Sequence, residues 1–357
     1  MTNILAFPAR AAATREAERL TALIACFATQ RRADGDVFWF KENGELLNIL
    51  ETAAIEVPEG ALDLYRPFYE TLERRAEFFP QYYRFLLSIA LDLEDLGLAG
   101  DRAGRLVAWL AQEGAAGAEL SDLHRAEARR LMARRGIEAL PGDTGLNDRL
   151  RAFAERSETF AVPNRKAAYD LTHTVFYLSE YGRKAPALGP GAAESLDFAG
   201  TVAFLDQNAD LLSEVCIAMR FAGLVPAQAW EDWIAEETRG FSIVTPNTPV
   251  AVDGYHDYFV CNWHAALTGG RAFAGPMPAG PMAFRARRRS GVLQELSMQM
   301  FDLGLARSDE WGRMQPLLEA RLAEPSARLV ASAACATSSF ERFFARFARV
   351  GLRKVAG

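Results

Sequence analysis

Glycines that follow an apolar helical turn recur along the chain, and their spacing is the feature that most constrains the fold. They are Gly97, Gly136, Gly182, Gly223, Gly304 and Gly351, with Gly269 as a weaker seventh case. A glycine in this place is the common left-handed stop after a helix. The intervals run from 35 to 47 residues, long enough for two helices each. A repeat of this length indicates stacked αα-hairpins.

Apolar residues recur three and four positions apart through most of the chain, which predicts an all-α fold. Six hairpin intervals suit a closed (α/α)6 toroid or, as an alternative, an open α-solenoid, and we expect the toroid. An N-terminal helical segment at residues 1–60 is expected to precede the toroid domain at residues 61–357. Residues 241–252 form the one extended-looking run, and their two prolines favour a loop over a strand.

The composition limits which binding partners and which cellular location we expect for this chain. With Asp+Glu 46 against Lys+Arg 40, a net charge of −6 and no basic tail, the chain is not expected to bind nucleic acid. No apolar run approaches the length of a membrane span. The first 23 residues lack the pattern of a secretion signal, and four scattered cysteines predict reduced thiols. We therefore expect a cytoplasmic protein, and the Ala- and Arg-rich composition indicates a GC-rich bacterial genome.

Polar residues recur near the start of the more apolar, inner helices, at two levels that are defined by their distance in sequence from the glycine that ends each helix. Counting back nine positions from a glycine reaches His173 and Glu214, and counting back twelve reaches Asp170 and Asp257. Positions three apart share a helix face, so these levels predict the polar mouth of a central cavity. We expect Glu214 to be an acid–base group there. A solvated or ion-paired glutamate is the alternative.

The segment 170–177 contains the residues that most clearly indicate a catalytic role. Asp170 and His173 stand three residues apart on one helix, so they can share a proton, orient the imidazole or hold a metal. We expect Asp170 to orient His173, which would form an acid–base pair with Glu214. Tyr177, one turn later, is expected to contact the substrate. The alternative is a partly buried histidine bonded to Asp170 for structural reasons alone.

A second cluster lies at residues 255–264, after a glycine and a proline-containing loop. His256 and Asp257 are expected to complete the catalytic mouth, with Tyr255 contacting the substrate. Cys261 and His264 stand three residues apart, so they can bind a divalent metal together with a ligand from another helix, such as His173. For Cys261, packing in the core is the alternative. The sequence contains no phosphate-binding glycine motif, so no nucleotide cofactor is expected.

An arginine-rich loop precedes the predicted helix at residues 292–303. Cations beside a helix N-terminus are unfavourable unless an anion or an acidic partner lies there. We therefore expect Arg287 and Arg288 to hold an anionic group of the substrate, with Ser290 as the helix N-cap. A solvated basic loop is the alternative.

From Gly97 onward, the helical hairpins and the Asp/His/Cys/His set resemble the terpenoid-cyclase and prenyltransferase superfamily of (α/α)6 toroids. The run 170–182 and the segment at 255–256 also resemble uncharacterised bacterial toroid-like proteins. The resemblance implies an aliphatic or peptide substrate in a central funnel, with proton-initiated cyclisation or zinc–thiolate chemistry. Class II cyclases carry Asp-x-Asp-Asp, whereas the nearest string here, Asp92-Leu-Glu-Asp95, has Glu in the third place.

Together these features predict an enzyme that performs acid–base chemistry, with or without the help of a bound divalent metal, on a small organic or peptide-like substrate. Cyclisation, elimination and hydrolysis are all compatible with the residues. The alternative from another class is a non-catalytic helical-repeat scaffold that binds a peptide or protein partner.

Overall fold

The computed structural model describes residues 8–247, 252–287 and 289–350. Helices dominate these ranges and only two three-residue strands occur in them, which confirms the all-α prediction. The chain divides into two compact units. Unit one comprises residues 1–142 and 238–286, and unit two comprises residues 143–237 and 287–357. The predicted division into segments 1–60 and 61–357 stays a prediction.

Unit one is built on two long helices of the N-terminal region and one helix from much later in the chain. Helix α2 packs along α5 and also contacts α14. The α-helices of this unit are α1 Pro8–Ala25, α2 Val37–Thr52, α3 Arg66–Tyr69, α4 Leu72–Phe78, α5 Tyr83–Asp95, α6 Arg102–Gln112, α7 Asp122–Ala133 and α14 Tyr255–Leu267.

Unit two is a second helical body with its own core, in which α11 packs against α12 and α10 against α12. Its helices are α8 Leu146–Ala154, α9 Ser157–Phe160, α10 Arg165–Leu178, α11 Pro190–Leu205, α12 Ala209–Phe221, most of α13 Gln228–Gly240, α15 Leu293–Asp302, α16 Trp311–Glu319, α17 Glu324–Ala336 and α18 Phe340–Phe347. Ser290 does not cap α15, because that helix begins at Leu293 and takes Val292 as its N-cap.

Most of the glycine stops are confirmed where the structure describes them, but α10 ends four residues before Gly182, with Ser179 as its C-cap and Glu180 as the left-handed residue that follows. Gly97, Gly136, Gly182, Gly223, Gly269 and Gly304 all have a positive φ, between 50° and 109°. After α5, for example, the N–H of Leu98 donates to the carbonyl of Leu93 at 2.8 Å, which closes the helix in the expected way. Gly351 lies outside the described residues.

The loop prediction for residues 241–252 is wrong over three residues. Strand β1 Ser242–Val244 pairs antiparallel with β2 Ala283–Arg285, in the register Ile243 opposite Phe284. The strand ends before Pro246, so the prolines limit its length without preventing it. This small sheet lies in unit one and carries a residue that supports the candidate site.

Within the ranges described, none of the helices combines the length and the apolar character needed to span a bilayer. The four cysteines lie within the described residues and form no disulfide there; Cys26, Cys216 and Cys261 are buried and Cys335 is exposed.

Candidate functional site

A histidine and a glutamate from two helices of unit one form a close pair. Nδ1 of His256, in the first turn of α14, lies 2.6 Å from Oε1 of Glu45 on α2. The glutamate side chain is 16% exposed and the histidine side chain 33%. An ionised carboxylate only accepts hydrogen bonds, so in this contact Nδ1 carries the proton and donates it to Glu45. A carboxylate at Nδ1 is the arrangement that orients a histidine for proton transfer or metal binding.

A buried ion-pair network centred on Arg31 lies in the same unit. The guanidinium binds both carboxylate oxygens of Asp253 at 3.0 Å, and its Nε lies 3.1 Å from Oε2 of Glu42. It also donates to the carbonyl of Met282 at 2.8 Å. The side chains of Arg31, Asp253 and Glu42 are 5%, 5% and 1% exposed. Because water is excluded, each of these charges depends on its partners.

Hydrogen bonding within the network sets the pKa of its arginine. Burial acts to lower the pKa of Arg31, but its hydrogen bonds with Asp253 and Glu42 outweigh burial and raise that pKa above its ordinary value. The guanidinium also lies 4.8 Å above the ring of Phe27. Arg31 is therefore a permanent cation whose guanidinium is fully hydrogen-bonded to Asp253, Glu42 and the carbonyl of Met282.

Asp253 connects this network to the start of α14. Its carboxylate accepts hydrogen bonds from the backbone N–H of Phe284 at 2.9 Å and of Tyr255 at 3.4 Å. The N–H of Gly254 in turn donates to the carbonyl of Phe284 at 3.0 Å. The first turn of α14 is therefore anchored to strand β2.

The other end of the network anchors α2. Glu42 and Glu45 stand three residues apart on that helix and so share one face. Arg31 binds the first of them, while His256 binds the second. Through Glu42 and Asp253, Arg31 thus fixes α14 against α2, and with it the contact between His256 and Glu45.

Tyr255, predicted to contact the substrate, lies directly beside this pair. Its ring centroid is 6.3 Å from that of His256 and 5.4 Å from the guanidinium carbon of Arg31. Burial, followed by the negative charges of Glu45 and Glu42, raises the pKa of its phenol well above the ordinary value. The hydroxyl is therefore a neutral donor, which suits hydrogen bonding to a ligand, and its role in substrate binding stays a prediction.

The remaining predicted residues of α14 lie further along the same helix. Asp257 is partly exposed, next to His256. Cys261 and His264 are buried, at 0% and 3% exposure, one turn apart. Among the described residues of unit one, no third His, Cys, Asp or Glu joins these two in a group of potential metal ligands. A metal site on Cys261 and His264 stays a prediction.

The predicted pairing of Asp170 with His173 does not form. Both residues lie on α10 in unit two, but the carboxylate of Asp170 pairs with Nζ of Lys166 at 2.5 Å, one turn earlier. The imidazole of His173 stacks on Tyr177 with centroids 5.9 Å apart and meets Phe176 edge-on at 5.7 Å. Within the described part of the chain, His173 makes no hydrogen bond through its side chain, because the nearby lysine takes the carboxylate.

Glu214 is accompanied by a second buried carboxylate that the sequence reasoning missed. Asp210 precedes it by one turn on α12; the two are 6% and 4% exposed, and each places an oxygen within 4.8 Å of the other. The hydroxyl of Tyr169 donates to Asp210 at 2.5 Å, and that of Thr172 lies 2.5 Å from Oε2 of Glu214. Burial, followed by the charge of Asp210, raises the pKa of Tyr169. The sequence did contain a signal for this pair, because Asp210 and Glu214 stand one turn apart on an otherwise apolar helix.

The arginine-rich loop forms ion pairs with two glutamates of helix α13. Arg287 lies 3.3 Å from a carboxylate oxygen of Glu236, and Arg289 lies 2.8 Å from the same residue and 2.7 Å from Glu237. Arg288 falls outside the described residues. Glu236 and Glu237 on α13 therefore supply the acidic partners that the cationic loop required, and binding of a substrate anion by Arg287 stays a prediction.

Comparison with known proteins identifies the family. A family model described as "Domain of unknown function (DUF6902)" matches residues 1–350, so the chain belongs to that family. None of the curated proteins matches the chain, and none of the solved structures does.

Proposed function

We propose that this member of the DUF6902 family is an enzyme in which His256 exchanges protons with the substrate and Glu45 positions its ring. The observation that supports the proposal best is the 2.6 Å contact between Nδ1 and Oε1 in a partly exposed pair. The reaction is of the acid–base type, and cyclisation, elimination and hydrolysis of a small organic or peptide-like molecule all need such a group.

The proton movements follow from the geometry of the pair. In the proposed reaction, Nε2 of His256 accepts a proton from the substrate or from an attacking water. The resulting imidazolium is stabilised by the carboxylate of Glu45, and it then returns the proton to the leaving group. The buried network around Arg31 keeps the helices that carry these residues in place, so the ring does not have to be reoriented during the reaction.

Further parts of the proposal come from the sequence. Glu214 and Asp257 are proposed as additional acid–base groups, with His173 retained as a candidate despite its lack of a carboxylate partner. The (α/α)6 toroid, the likeness to terpenoid cyclases, the bacterial origin and the cytoplasmic location remain predictions of the sequence alone.

A metal-assisted variant of the same reaction has one specific observation in its favour. Histidines that bind a metal through one ring nitrogen commonly donate the other N–H to a carboxylate, as His256 does to Glu45. Elemental analysis of natively purified protein tests this variant. About one equivalent of zinc or iron, lost in His256→Gln but kept in His264→Gln, would make His256 a metal ligand. Loss in His264→Gln would instead support the predicted site at Cys261 and His264.

The principal experiment is a substrate panel. Nitrophenyl esters and nitroanilides report hydrolysis. Prenyl diphosphates report elimination by release of diphosphate, and they report proton-initiated cyclisation, which keeps the diphosphate, by mass spectrometry of the products. For the class that the protein turns over, we expect His256→Gln to lower kcat by at least about 100-fold. Glu45→Gln should lower kcat by about 10-fold, because the ring remains but loses its orienting charge.

A matched control comes from a second histidine–glutamate pair in unit one. Nδ1 of His124 lies 3.6 Å from Glu119, and the His124 side chain is 49% exposed. His124→Gln should leave kcat unchanged. Full activity in His256→Gln would overturn the catalytic role of that residue. No turnover of any class, together with capture of a peptide by the wild type, would favour the scaffold alternative.

A further inference from the structure

Unit two contains a cleft of about 420 Å³ whose walls are mostly apolar. Phe160, Val202, Leu211 and Leu293 are among the side chains that line it. This volume lies in the range of small-molecule sites, which are typically apolar with a few convergent polar groups. The cleft is lined only by residues of unit two and includes neither Glu45 nor His256.

The cleft exists because small residues line helices α10 and α11. Ala168, Ala199 and Ala203 face it, where longer side chains would fill the space. The wall formed by α15 is held close to α11, since the N–H of Val292 donates to the carbonyl of Leu205 at 2.7 Å. At Gly291 a Cβ would lie 2.4 Å from the backbone oxygen of Asp206, so only glycine allows this approach. The space is therefore a defined feature of the packing.

One ion pair stands at the edge of the apolar surface. Nη2 of Arg165 lies 2.7 Å from Oδ2 of Asp206, and their side chains are 69% and 29% exposed. Among the described residues, this is the only side-chain hydrogen bond of either group, so Arg165 retains N–H donors and Asp206 retains acceptor sites. The hydroxyl of Ser297 also lines the cleft and likewise has no hydrogen bond to a described residue.

We infer that this cleft binds a free α-amino acid with an apolar side chain. The apolar walls take the side chain, Arg165 takes the carboxylate and Asp206 takes the ammonium group. A ligand whose ammonium and carboxylate groups are bonded to one carbon matches an arginine–aspartate pair, whereas a simple anion would be repelled by Asp206 and a simple cation by Arg165. Ser297 supplies a further hydrogen bond at the edge.

A ligand series tests the inference by isothermal titration calorimetry on the full chain. L-Phenylalanine contains all three features; 3-phenylpropanoate lacks the amine, 2-phenylethylamine lacks the carboxylate and glycine lacks the side chain. We expect binding of phenylalanine, with each singly charged analogue about five-fold weaker and glycine not detectable. Equal affinity for phenylalanine and 3-phenylpropanoate would overturn the zwitterion assignment.

Variants locate the binding in the cleft. Arg165→Gln should weaken phenylalanine binding by about five-fold, and Asp206→Asn should weaken phenylalanine but strengthen 3-phenylpropanoate. Ser297→Trp fills the cleft from the partly exposed helix α15 and should weaken binding by more than about 10-fold. Met298→Trp places the same side chain one residue along, at a position 52% exposed and outside the cleft, and should bind normally.

The outcomes separate this inference from the acid–base proposal. Normal binding by Ser297→Trp, with thermal unfolding unchanged, or no binding of phenylalanine at millimolar concentration to the wild type would overturn the amino-acid site. Neither result bears on the proposed role of His256, because that residue does not line the cleft and its role is tested separately, by the change in kcat of His256→Gln.

Discussion

Two histidines lie on helices of this protein in opposite surroundings. His256 is hydrogen-bonded to a carboxylate at 2.6 Å, whereas the side chain of His173 packs on the rings of Phe176 and Tyr177 and makes no hydrogen bond among the described residues. A hydrogen bond fixes the tautomer and the direction of an imidazole, and ring contacts alone do not. We conclude that a histidine is prepared for proton transfer by its hydrogen-bond partner more than by its place on an apolar helix.

The cause of the difference lies in competition for the carboxylate. Asp170 stands close to His173 but has Lys166 one turn before it, and a charged ammonium outcompetes a neutral imidazole. The carboxylate of Glu45 has no such competitor: His256 is its only side-chain partner among the described residues. The two nearby arginines bind Glu42 instead.

The largest expected effect concerns the framework that holds His256. Arg31→Met removes the cation between Glu42 and Asp253 and leaves both carboxylates buried without it. We expect the free energy of unfolding to fall by about 3–5 kcal/mol, because the buried charge of Asp253 is left uncompensated, whereas Glu42 keeps its ion pair with Arg32. Urea denaturation followed by circular dichroism measures it.

Arg105→Met is the control for that measurement, because Arg105 pairs with Glu73 and Asp101 at an exposed position. It should leave the urea midpoint unchanged. An unchanged urea midpoint for Arg31→Met would mean that the buried network does not stabilise the surroundings of His256. That result would contradict the contrast drawn between His256 and His173.

A second prediction concerns the neighbour of His173 on α10. Thr172→Val keeps the shape of the side chain but removes the hydroxyl beside the buried Glu214. We expect a loss of about 1–2 kcal/mol in the free energy of unfolding, since a buried acceptor loses a donor. His173→Gln should cost less, as measured by the same urea titration. A larger cost for His173→Gln would show that His173 is the structural residue of this helix.

Local features of the fold were predictable from sequence. The glycine stops and the helix over residues 255–267 depend on contacts between residues a few positions apart, which the sequence displays directly. The strand pair was not predictable in the same way. Residues 242–244 and 283–285 pair across about 40 intervening residues, and nothing local at either segment indicates the other.

The residues of the candidate site also differ in whether the sequence alone predicts them. His256 and Tyr255 could be selected from the sequence because they stand at the polar start of an otherwise apolar helix. Glu45 could not be assigned to His256, since 211 residues separate the two. A partial signal did exist. Glu42 and Asn43 are polar residues inside the apolar run of α2, and buried polar groups require partners.

A double-mutant cycle compares the two histidines directly. For Glu45→Gln and His256→Gln in unit one, we expect a coupling free energy of about 1–2 kcal/mol, because a charge-assisted hydrogen bond joins them. Chemical denaturation of the four proteins gives this value. Additive effects of the two substitutions would mean that the contact is not maintained in solution.

The smallest expected effect comes from the same cycle on α10. Asp170→Asn and His173→Gln should be additive to within about 0.5 kcal/mol, since no hydrogen bond joins these side chains. Asp170→Asn alone should lower the free energy of unfolding by no more than about 0.5 kcal/mol, the usual contribution of an exposed pair one turn apart on a helix. Lys166→Met should reproduce that loss. A coupling above about 1 kcal/mol between Asp170 and His173 would restore the pairing expected from their spacing, and His173 would then equal His256 as a candidate for proton transfer.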